Sequence, residues 1–82
     1  MITFEILVGN LIKMQKEGKN YSNAKAMCEG VARMDIKDYD NHVNEEWITY
    51  DKKGFGTIVL TKSKKGGIKE IRAWNEDKSI VL

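Results

Sequence analysis

The chain has 82 residues, room for one small domain spanning 1–82 and no more. Lys plus Arg is 14 and Asp plus Glu is 12, a net charge of +2, with 41% hydrophobic and 32% charged residues. That balance excludes a disordered tail and a membrane protein, and the lone Cys28 excludes a disulfide framework, which leaves a globular domain in a reducing, cytoplasmic setting as the expectation.

Residues 3 to 17 read as a helix, because Phe4, Leu7, Val8, Leu11, Ile12 and Met14 recur near helical spacing. Gly18 sits where a capping glycine would end it. A strand over 2 to 8 competes, since Ile2, Phe4, Ile6 and Val8 alternate. Neither a basic leader nor a small-residue cleavage site precedes this apolar stretch, so a signal peptide is not expected.

A second helix is expected from about Ala24 to Met34, with Ser22 or Asn23 as its N-cap. Ala24, Met27, Cys28, Val31 and Ala32 form its apolar stripe. The next stretch, DIKDYDNHVNEEW, permits a short third helix through Ile36, Tyr39, Val43 and Trp47, or a polar loop.

After Glu46 the period becomes two. WITYD, FGTIVLTK, IKEIRAW and SIVL are strand-like and are separated by KKG, SKKGG and NEDK turns. The fold class expected is α+β: two N-terminal helices, with a third open, packed on a C-terminal antiparallel meander of three or four strands.

The +2 conceals a separation. Asp35 to Asp51 carries six acids and Lys37, a net of −5, whereas Lys52 to Arg72 carries seven bases and Glu70, a net of +6. A solvated surface, mutual attraction of the two segments, association between molecules and a phosphate-binding surface all fit that pattern.

Lys53-Gly54-Phe55-Gly56 resembles the opening of the first ribonucleoprotein motif in RNA-recognition-motif domains, and the similar stretch of cold-shock domains. Trp47 upstream resembles the aromatic strand that precedes this string in cold-shock domains. The resemblance implies glycines that let backbone approach nucleic acid and an aromatic that stacks on a base. It ends there: Thr57 and Leu60 stand where that motif has aromatics. The other reading of the string is a hairpin turn and bulge at Gly54 and Gly56, with Phe55 packed in the core.

Alternation places Ile48, Tyr50, Ile58, Leu60, Ile71 and Ala73 on the face that meets the helices. The other face would carry Trp47, Thr49, Phe55, Thr57, Val59, Thr61, Glu70, Arg72 and Trp74. Aromatics rimmed by bases suit single-stranded nucleic acid, and they suit a protein interface equally well.

No catalytic constellation emerges. His42 stands alone, Cys28 falls in an apolar stripe, and the calcium-loop opening at Asp38 to His42 lacks the glycine and closing acid of such a loop. Neither an enzyme activity, a metal nor a cofactor is expected.

The leading expectation is a non-enzymatic regulatory protein that binds nucleic acid, RNA more than DNA, through Lys52, Lys53, Phe55, Lys64, Lys65, Lys69 and Arg72. The alternative is a dimeric protein-binding regulator or inhibitor of phage or antitoxin type, with no membrane partner in either case. A homodimer is expected because so small a chain buries only about 60% of its unfolded surface.

Overall fold

The computed structural model describes residues 2–43 and 45–77. Two helices precede a four-stranded antiparallel sheet, so the fold is α+β with a C-terminal meander. Helix α1 spans Phe4–Lys16, and helix α2 spans Tyr21–Ala26 and continues as a π-helical turn, Met27–Val31. The strands are β1 (Asp35–Asn41), β2 (Glu46–Lys52), β3 (Gly56–Lys62) and β4 (Ile68–Asn75), in the order β1-β2-β3-β4.

Local chemistry sets the bounds of α1. Thr3 caps its start by accepting the Ile6 N–H at 3.2 Å, and Glu5 lies in the positive first turn. At the other end, Gly18 takes φ 72° and the chain reverses. The Lys19 N–H then reaches the Met14 carbonyl at 3.0 Å and the Gly18 N–H reaches that of Gln15 at 3.2 Å, which is a Schellman motif.

Helix α2 departs from expectation at both ends. It starts three residues early, with Asn20 as its cap and no side-chain cap bond, and it unwinds into the π turn before Met34. A π turn carries more residues per turn, so a spacing of four stays on one side. Ala24, Cys28 and Ala32 are therefore buried together, while Val31 is turned outward and is 59% exposed. Arg33, at φ 54°, ends the segment.

The third helix and the polar loop considered for 35 to 47 are both corrected: Asp35–Asn41 is strand β1. The register with β2 shifts between Ile36 and Asp38, a bulge that sets the inward Ile36 and Tyr39 three residues apart. That spacing imitates a helix. The strand expected at 79–82 lies outside the described residues, and β1 supplies the fourth strand.

The core forms where the helices meet the inner face of β2, β3 and β4. Phe4, Leu7, Val8 and Leu11 of α1 and Tyr21, Ala24 and Cys28 pack on Ile48, Tyr50, Ile58, Leu60, Ile71 and Ala73. These last six are the residues that alternation assigned to this face. The buried hydroxyls are partnered: Tyr21 donates to the Leu60 carbonyl at 3.3 Å, and Tyr50 donates to the Glu29 carboxylate. Gln15 of α1 donates to the Lys69 carbonyl at 3.0 Å, tying the helix to β4.

The inner face of β1 is less covered than that of its neighbours. Its inward Ile36 and Tyr39 are each 51% exposed, with Val31 nearby in sequence and also exposed. Among the described residues, no helix is long and apolar enough to cross a membrane.

Candidate functional site

Strict alternation in β2 and β3 gives the sheet a second face that, among the described residues, no helix covers. The cross-strand register orders it in three rows. One row is Asp40, Trp47, Thr61 and Glu70; the next is Asp38, Thr49, Val59 and Arg72; the third is Asp35, Asp51, Thr57 and Trp74. Trp47 on β2 and Trp74 on β4 therefore lie diagonally across these rows, with Cα atoms roughly 16 Å apart by strand rise and spacing. A shallow depression of ≈ 340 Å³ lies between them, floored by Val59 and Thr61 and flanked by Arg72.

Both corners of the β1 side are elaborated. The His42 ring lies 4.8 Å from that of Trp47, tilted by 40°, and its Nε2 is 3.2 Å from Asp40 Oδ2. The Asp40 carboxylate thus stands on the tryptophan face. At the third row, Thr57 donates to Asp51 Oδ1 at 2.6 Å.

The face is acidic. Asp35, Asp38, Asp40, Asp51 and Glu70 stand on it against Arg72, which is 3.8 Å from Glu70. At the rim, Lys69 pairs with Glu45, and that hydrogen bond and charge hold the Glu45 carboxyl below its ordinary range. Lys69 reaches this side because the register shifts opposite Lys62, which leaves it as the extra residue of a bulge.

The basic residues singled out in the sequence do not converge. Lys53 occupies the β2–β3 turn, while Lys64 and Lys65 tip the β3–β4 turn. These turns lie at opposite ends of β3, a seven-residue strand that spans roughly 20 Å. Lys52 belongs to the helix side, where its Nζ donates to the Ala32 carbonyl at 2.9 Å and lies 5.2 Å from the Phe55 ring centroid.

Phe55 is likewise corrected: it is not on the open face. Its ring meets that of Phe4 edge-on, with centroids 5.3 Å apart, and packs against the core. The glycines of the Lys53–Gly56 string have structural reasons to be there. Gly54 takes φ 77° in the turn, and a Cβ on Gly56 would lie 2.4 Å from the Phe4 ring and 2.7 Å from the Trp74 carbonyl.

What the sequence reading missed is the partnership of β1. In chain order its aspartates form a separate acidic segment, yet they share the face of Trp47. The alternation of Asp35, Asp38 and Asp40 around Ile36 and Tyr39 is the signal, once one bulge is allowed.

Among the described residues, no three His, Cys, Asp or Glu groups are placed to hold a metal ion. Compared with protein-family models, with curated proteins and with solved structures, the chain matches none.

Proposed function

We propose that the chain is a non-enzymatic regulatory protein that binds another protein through the open face of its sheet. Trp47 and Trp74 serve as anchors, and the β1 carboxylates select a partner with a basic surface. The observation that carries this reading is the composition of the face: two tryptophans on a sheet face that no described helix covers, among carboxylates that outnumber the bases. Tryptophan is the residue most enriched among interface hot spots, and truncating one typically costs about 2 kcal/mol or more. A row of aspartates repels phosphate, so nucleic acid is the poorer fit for this face. Opposite charge on a protein partner speeds encounter and excludes wrong partners.

The test is capture of partners from a lysate, with and without nuclease, by the natural chain and by a Trp47→Ala/Trp74→Ala variant. The reading expects a protein that survives nuclease and is lost with the double variant, while circular dichroism stays unchanged. Loss of every captured species to nuclease would overturn it. So would tight low-salt binding of mixed RNA oligonucleotides that depends on Lys53, Lys64 and Lys65.

A further inference from the structure

We infer that β1 is a docking edge for an extended, basic segment of a partner protein, which adds to the sheet as a fifth strand. This rests on the reading of the chain as a protein-binding module, but it uses the strand edge and not the tryptophan anchors, so the two can fail separately.

Strand β1 ends the sheet order, and among the described residues it pairs only with β2. Alternate N–H and C=O groups along one side of it thus point away from the sheet, which is the template for strand addition. The side chains around that edge are of two kinds. On the open face stand Asp35, Asp38 and Asp40. On the inner face, Ile36 and Tyr39 remain half exposed.

Charge decides between occupants. Strands in one sheet share their faces, so a second copy adding through β1 would set its own aspartate row beside Asp35, Asp38 and Asp40. Like charges on directly opposed strands are destabilising. Lys37, at the bulge, is the only base of the strand and does not offset three aspartates. Charges and a bulge are common guards on an edge. Carboxylates guard only against acidic or neutral strands, and they attract a strand that carries lysine or arginine at alternate positions. The residues between those bases would fall on the inner face, against Ile36 and Tyr39. The segment that fits is therefore extended, with bases alternating with apolar residues.

The experiment uses the natural chain, labelled with nitrogen-15, and a synthetic peptide of seven residues alternating lysine and valine. Three control peptides accompany it: one with glutamate for lysine, and two with N-methyl groups on alternate backbone nitrogens in either frame. The inference expects amide shifts concentrated at 35–41, no binding of the glutamate peptide, and an affinity about tenfold weaker for at least one methylated peptide. An Asp38→Asn/Asp40→Asn variant, which keeps size and fold, should weaken the lysine peptide by a similar factor.

Shifts centred on β4 or on Trp47 and Trp74, or indifference to both methylated peptides, would overturn it. So would slow exchange, before any peptide is added, of those amides in 35–41 that point away from β2. If that protection came with a dimer in sedimentation, a second copy would be the occupant. If it vanished on deletion of 78–82, the occupant would be the chain's own terminal segment.

Discussion

Single residues in this fold are constrained by what approaches them, and two glycines show the range. Gly56 has no room for a side chain, because the Phe4 ring and the Trp74 carbonyl both lie within 3 Å of where a Cβ would sit. Gly56→Ala must move α1 or break the β3–β4 pairing, and a cost of about 2–3 kcal/mol is expected in urea unfolding. Gly9, in the middle of α1, has nothing within 4 Å of such an atom. There alanine removes only backbone freedom from the unfolded chain, so Gly9→Ala should stabilise by about 0.5–1 kcal/mol in the same measurement. The sequence supported both readings of the Lys53–Gly56 string, nucleic-acid loop and structural turn. Only the position of Phe4, some fifty residues upstream, separates them, and no local pattern carries that information. Phe55 went to the wrong face for a related reason: it lies in the turn, where alternation no longer says which way a side chain points.

At the level of elements, what was legible followed from regular geometry, and what was not followed from one extra residue. Strands β2 and β3 alternate strictly, so the inward set of Ile48, Tyr50, Ile58 and Leu60 could be read directly. Strand β1 and the start of β4 each carry a register shift, which turns a spacing of two into three, as in Ile36 and Tyr39 or Ile68 and Ile71. The π turn does the same to a helix, and it turns Val31 outward although regular helical spacing puts it on the apolar stripe. Such a turn costs regular hydrogen bonds and persists when its surroundings hold it. Here β2 holds it at two points, through Tyr50 to the Glu29 carboxylate and through Lys52 to the Ala32 carbonyl. Tyr50→Phe removes the first tie while keeping the ring. A loss of about 1–2 kcal/mol is expected, together with faster amide exchange over 27–34 than elsewhere in the chain. Equal acceleration throughout would mean that the tie supports the whole core and not this turn.

Across the whole molecule, the near-neutral charge hides a division that the chain order only half revealed. The acidic and basic stretches are not two separate regions: Asp35, Asp38 and Asp40 of β1 and Asp51 of β2 stand on the same face as Arg72 of β4. The lysines of the basic stretch are dispersed to opposite ends of the sheet. Beneath that surface, the core buries three groups that ionise only at high pH. Burial raises the Cys28 thiol from its ordinary 9.0 to about 12, with the nearby Glu29 charge adding to the effect. Burial likewise raises the Tyr21 and Tyr50 hydroxyls, helped at Tyr50 by its hydrogen bond to Glu29 and at Tyr21 by the charge of Glu46. In each case the folded chain holds its proton to a higher pH than the unfolded chain does. Their contribution is therefore complete below about pH 9, where both states are protonated, and it is lost as the pH rises from there toward 12. Each group that has ionised only in the unfolded state removes about 1.4 kcal/mol per pH unit. Unfolding free energy should then be flat for these groups from pH 7 to 8.5 and steepen above 9 as the tyrosines join the thiol. Cys28→Ala deletes one of the three and should make the alkaline limb shallower by that same slope, measured by urea titration at pH 8, 9 and 10. An unchanged slope would mean that the thiol already ionises in the folded chain, and hence that water reaches the centre of this core.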